Sequence, residues 1–221
     1  MGLTRSPQSA HPTLKIALLP TTVITYDTVW QVNPCKILID RRNITVSGFS
    51  VNHNLETFSL NGSISEDPAD RIDLEFRNFN LGNLNLASVE KGFQLGGILT
   101  GDASFSGLYD NPVILSNLGI DSLIVNGEKL GTATIRSAWN NRNKSLEIEA
   151  GTMRDKLKTI SIGGSYFLNT RKLDFAVKLN KLRLNPFNPY LANLTENIRG
   201  LASGELNLKG TIDKPVLNGE V

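Results

Sequence analysis

The sequence predicts an all-β, mostly antiparallel protein, and three observations lead there. Apolar and polar residues alternate with period two in run after run, the signature of strands with one apolar and one wet face. Turn signals separate the runs at intervals of roughly ten residues. Composition also fits a folded chain, since 40% hydrophobic and 20% charged residues over 221 positions leave enough apolar surface for a large core.

Along the chain, 1–23 is an N-terminal segment, polar at its start, with a first strand possible in it. The run Leu14–Leu19 is short and broken by Lys15, so it reads as neither a signal peptide nor a membrane span. Alternating runs follow at Ile37–Ile39, Ile44–Val46, Ile72–Leu74–Phe76, Leu146–Ile148–Ala150, Ile160–Ile162, Leu173–Phe175–Val177–Leu179 and Leu206–Leu208. The turn signals are Asn61-Gly62, Asn111-Pro112, Asn126-Gly127, Asn140-Asn141, Gly163-Gly164 and Lys214-Pro215. One stretch departs from the pattern. "NPFNPYLANLTENIRG" (Asn185–Gly200) carries Leu191, Leu194 and Ile198 at helical spacing before a glycine stop, which predicts a short helix near 189–198. "LNLASVEKG" (Leu84–Gly92) is its candidate counterpart.

The chain repeats itself. Gly101, Phe105, Gly107, Asp110, Pro112 and Val113 correspond to Gly204, Leu208, Gly210, Asp213, Pro215 and Val216, each pair 103 residues apart. Upstream, Leu55, Thr57 and Gly62 match Leu157, Thr159 and Gly164 at 102, and Asp73 matches Asp174 at 101. Two modules follow from this: a first β repeat over 24–112 and a second over 113–221, continuous with the first. The second has no closing element at Val221, so the sequence is expected to be a piece of a longer protein, with the strand Gly204–Lys209 exposed at a sheet edge.

Chemistry-bearing patterns are sparse. A net charge of +2 with dispersed Lys and Arg gives no case for nucleic acid, and the Arg41-Arg42 pair reads as a solvated turn. The lone Cys35 and two histidines, His11 and His53, have no metal-ligand spacing, so no metal and no cofactor are expected. Nucleophile-elbow and phosphate-loop motifs are absent. The carboxylate pairs Asp73/Glu75 and Glu147/Glu149 alternate with apolar residues, which places them on a wet face where nothing raises a pKa. The chain is read as a non-enzyme.

What remains is the apolar face. Ile72, Leu74, Phe76, Phe105, Leu146, Ile148, Ile162, Leu173, Phe175, Val177, Leu206 and Leu208 are the residues expected to share it, with Asp73, Glu75, Glu147, Glu149, Asp174 and Lys178 outside. Alternation alone permits a closed core, in which two such faces pack together, or an open trough that accommodates something greasy.

The strings "GGILTGDASFSGLYDNPVI" and "RGLASGELNLKGTIDKPVL" bear on that choice. Each has the form G-x-x-x-G, alternating hydrophobics, G, then P-x-hydrophobic, and this resembles the repeat signature of the AsmA-like superfamily, TamB-type members in particular. "LNGSISEDPADRIDLEFRNFNL" and "IGGSYFLNTRKLDFAVKLNKLRL" extend the similarity upstream, so that it covers roughly 24–221. The resemblance implies an elongated, curled, U-shaped β-sheet with an apolar groove and one or two short helices. It also implies a periplasmic segment of a Gram-negative envelope protein whose inner-membrane anchor lies outside this chain. The implied function is a lipid conduit moving phospholipids between inner and outer membranes, with acyl chains as the contents of the groove. A scaffold for outer-membrane protein assembly, meeting an outer-membrane barrel protein through a part absent here, is the alternative, together with a closed structural β domain.

Overall fold

A computed structural model describes residues 2–4, 13–25, 28–85, 94–110, 112–187 and 200–221. Over these residues the chain is an open, antiparallel all-β sheet. It divides into two compact units, Met1–Phe79 with Thr100–Ser116, and Asn80–Leu99 with Asn117–Val221.

The first unit contains β1 (Gly2–Thr4), β2 (Thr13–Leu18), β3 (Thr21–Thr25), β4 (Thr28–Val32), β5 (Cys35–Asp40), β6 (Asn43–His53), β7 (Glu56–Ile64) and most of β8 (Arg71–Asn80). The unit boundary divides β9 (Leu95–Ser106) and β10 (Val113–Val125). Pairing runs β1-β2-β5-β6-β7-β8, with β3 on β4 and β4 also on β6. One register nonetheless continues through β2–β5 and β3–β4, because Leu18 faces Cys35 and Thr21 faces Val32. The two pairs form one long hairpin, interrupted where Pro20 and Pro34 cannot donate to the ladder. Asn33 bridges the interruption, donating its N–H to Ser50 O at 2.9 Å and its side-chain amide to Ser50 Oγ at 2.7 Å.

The second unit contains β11 (Glu128–Asn140), β12 (Ser145–Arg154), β13 (Leu157–Phe167), β14 (Lys172–Arg183), β15 (Leu201–Thr211) and β16 (Lys214–Glu220), each paired with the strand next to it in sequence. The Asn126-Gly127 turn opens it with both residues at positive φ, 49° and 80°. Short 3-10 turns occupy Leu81–Leu84, Leu168–Thr170 and Asn185–Phe187. The helix expected near 189–198 lies outside the described residues, and the 3-10 turn Asn185–Phe187 precedes it. Residues 86–92 of its counterpart, Leu84–Gly92, also lie outside the described residues.

Three expectations require correction. Asn61-Gly62 and Gly163-Gly164 are not turns, since they lie inside β7 and β13. Gly62 and Gly164 sit there to let a neighbouring backbone come close: a Cβ on Gly164 would collide with the Asp174 carbonyl and stand 2.6 Å from Phe175 Cα. Lys214-Pro215 opens β16, while the turn before it is Ile212–Asp213, held by Ile212 N–H on Arg171 O at 3.0 Å. Gly204–Lys209 is consequently no edge. It pairs with β14 on one side and β16 on the other, and β16 is the outermost strand, exposed along its length.

Candidate functional site: an apolar sheet face and its polar reverse

In the second unit the registers form continuous rows. Ile148 faces Gly164, Gly164 faces Phe175, Phe175 faces Leu208, and Leu208 faces Leu217. A flanking row runs Ala150, Ile162, Val177, Leu206, and another runs Trp139, Leu146, Tyr166, Leu173. Because facing residues project from the same side of a sheet, Leu146, Ile148, Ile162, Leu173, Phe175, Val177, Leu206 and Leu208 share one face. Only Leu146 and Phe175 among these eight are buried, at 4% and 8% exposure; the other six are half-buried.

At one end this face curls over itself. Val125 at the end of β10 and Leu130 on β11 form a buried cluster with Leu182 on β14, to which Leu95, Leu123, Ile160, Leu179 and Leu184 add partly buried side chains. Asn126 Nδ2 donates to Pro186 O at 2.7 Å, and Arg183 pairs with Glu128 at 3.1 Å. Strands separated by β12 and β13 are therefore brought together on the apolar side.

A bulge between Leu179 and Leu182, with Lys181 at φ 48°, keeps both leucines on that side. Inside the apolar face, Thr152 and Thr159 are buried and share a 2.7 Å hydrogen bond between hydroxyls, so neither is left unpaired.

Glu147, Glu149, Asp174 and Lys178 lie on the reverse. Asp174 faces Lys209, and Lys178 pairs with Glu205 at 2.9 Å. Glu147 is more than a solvated acid. Ser165 and Ser145 each donate to it at 2.7 Å, Asn143 at 3.2 Å and Asn140 at 3.4 Å. The Ser165 hydroxyl foremost, then Ser145 and the two amides, hold its carboxyl below the usual range against the opposing effect of burial. Shallow depressions also lie on this side, one floored by Gly151, Ser161 and Gly163 and edged by Arg136, Glu149 and Lys158.

The first unit has its own apolar face. Ile72, Leu74 and Phe76 on β8 stand opposite Gly62, Leu60 and Phe58 on β7, and Phe49 and Val51 on β6 continue the rows through Leu60 and Phe58. Phe105 lies half-buried on β9, two residues beyond the buried Ala103. Asp73 and Glu75 occupy the reverse of β8, paired with Arg71 at 3.2 Å and Arg77 at 2.7 Å.

Aromatic rings mark this face. Phe58 lies 6.3 Å from Phe49, 5.2 Å from Phe76 and 6.4 Å from Phe79, while Trp30 stands 6.1 Å from Phe79 and 5.6 Å from His53. Sequence reading passed over Phe49, Phe58, Phe79 and Trp30. Alternation at Phe49/Val51 and Phe58/Leu60 signals the first two. Phe79 escapes a period-two rule because Asn78, at φ 48°, inserts one residue and turns Phe76 and Phe79 to the same side.

Among the described residues no three His, Cys, Asp or Glu side chains gather to hold a metal ion, and no helix is long and apolar enough to cross a membrane. What the arrangement offers is apolar area shielded in part from water. Searches of curated proteins and of solved structures return no match. A family model does match: residues 47–221 fit the TamB C-terminal domain.

Proposed function

The chain belongs to the TamB C-terminal domain family, which is envelope-associated, and we propose that it is a segment of a periplasmic lipid conduit carrying phospholipids between the inner and outer membranes. One observation carries this reading: eight apolar residues from four consecutive strands share one face, and six of them are only half-buried. A sealed core would bury such rows. Each acyl methylene shielded there contributes about 0.8 kcal/mol, and similar rows repeated across the sheet let a chain advance without full desorption into water.

The test is photo-crosslinking in cells, with the probe placed at Val177 or Leu206 on the apolar face, or at Ala176 or Asn207 on the reverse. Phospholipid adducts are expected from the first pair alone. Equal labelling from both faces, or none from either, overturns the proposal.

A further inference from the structure

The curled end of the second unit holds an unusual charge arrangement. Arg154 Nη1 and Arg183 Nη1 both approach the same oxygen, Glu128 Oε1, at 3.7 and 3.1 Å. Two guanidinium groups from β12 and β14 thus converge on a single carboxylate of β11, and one positive charge is left over. Arg154 also donates to Lys129 O at 3.4 Å. Solvent reaches all three side chains, which are 31%, 52% and 24% exposed for Arg154, Arg183 and Glu128. Lys129, Lys156 and Lys181 stand within three positions of these residues along the chain and make no ion pair among the described residues. Asp155 is the other acid in these segments. Leu130 on β11 and Leu182 on β14 stand close along the chain to Glu128 and Arg183, and with Val125 of β10 they form the buried apolar cluster.

A guanidinium presents a planar fork of donors that matches phosphate oxygens, and two converging forks form a stronger anion site than isolated lysines. We infer that Arg154 and Arg183 bind the phosphate of a phospholipid headgroup while its acyl chains lie on the adjoining apolar face. The headgroup phosphate takes the excess charge that Glu128 leaves uncompensated. This rests on the conduit reading and adds to it a registering point, at which a lipid would be held by its head as well as its tails.

The full chain is titrated by calorimetry, below micelle formation, with three probes: dodecylphosphocholine, dodecyl maltoside with the same tail and no phosphate, and glycerophosphate with no tail. Dodecylphosphocholine is expected to bind about tenfold more tightly than the maltoside, as charge-assisted bonds to the phosphate would give. Arg183→Gln should reduce that preference to about twofold while maltoside binding holds. Arg154→Gln supplies the same reading if the Arg183 variant folds poorly.

Lys209→Gln, which removes one charge from the opposite end of β15, should leave the preference intact. An equal loss there would assign the effect to net charge and overturn the site. Equal binding of the two tailed probes by the unaltered chain overturns the phosphate site and leaves the conduit reading standing, whereas no binding of either overturns both. Glycerophosphate binding as tightly as dodecylphosphocholine would make this a site for free phosphate esters and overturn the lipid assignment.

Discussion

Arg183 on β14 reaches Glu128 on β11 at 3.1 Å although β12 and β13 lie between them. In a flat sheet those strands stand about 14 Å apart, three spacings of about 4.8 Å. The pair closes only because the sheet curls with its apolar side inward at this end. Val125 and Leu130 meeting Leu182, and Asn126 meeting Pro186, record the same curvature.

The ion pair is a modest part of that closure. Both charges are partly solvated, so a double-mutant cycle of Glu128→Gln and Arg183→Gln should give a coupling of about 0.5–1 kcal/mol in urea unfolding. Leu182→Ala should cost more, about 2–4 kcal/mol, because it empties a buried position. A coupling larger than the leucine loss would show that charge rather than apolar packing holds the curl.

Adjacent glycines on β13 should behave oppositely. Gly164→Ala forces a methyl group against the Asp174 carbonyl and the Phe175 backbone, and is expected to cost about 1–3 kcal/mol. A Cβ on Gly163 meets nothing within 4 Å, so Gly163→Ala should be neutral or stabilise by about 0.5 kcal/mol. Thermal unfolding of the two variants decides it, and equal losses would refute the close-approach account.

Glu147 should make the protein acid-sensitive. Its hydrogen bonds lower the folded-state pKa below the unfolded one, so its contribution is present above the unfolded value, about pH 4. That contribution is lost as pH falls through the depressed folded value. Glu147→Gln should cost about 1 kcal/mol at pH 7, the low end for bonds to a charge because solvent reaches the carboxylate, and should flatten the stability profile below about pH 4. An unchanged acid limb in the variant would count against this account.

The ring cluster of the first unit should depend on Phe58, which touches three other aromatic rings. Phe58→Ala is expected to cost about 3 kcal/mol in denaturant unfolding followed by tryptophan fluorescence in a Trp139→Phe background, where Trp30 alone reports on this face. A loss under 1 kcal/mol would mean that the rings are neighbours without mutual support.

Strand content and facing were legible where alternation ran on, as from Leu173 to Leu179, where Leu173, Phe175, Val177 and Leu179 are each more buried than Asp174, Ala176 and Lys178 between them. Legibility failed where one residue was inserted. Asn78, the Val46–Phe49 bulge and Lys181 each reset the phase, and only the folded ladder reveals it. Gly62 and Gly164 were misread because a turn and a close backbone approach both select glycine. Glu147 was assigned to the correct face without its partners. Ser165 lies 18 residues away in sequence and becomes a neighbour only through the β12–β13 register. The Glu128–Arg154–Arg183 convergence had no sequence signal, since it depends on curvature.

The pairing of each strand from β11 to β15 with its successor also governs how this part of the molecule assembles and comes apart. Ladders between sequence neighbours close short loops, except where the segment between β14 and β15 intervenes, so the entropic barrier to folding is low for an all-β chain. Away from the curled end, where β10 and β11 also meet β14, such a ladder behaves as a one-dimensional array in which each strand leans on its two neighbours. Produced as these 221 residues alone, the sheet has β16 paired only with β15 and exposed along its length, so β16 opens at the least free energy. Amide exchange should therefore slow from β16 inward, making the opening of this sheet a progressive unzipping from one side rather than a single collective event.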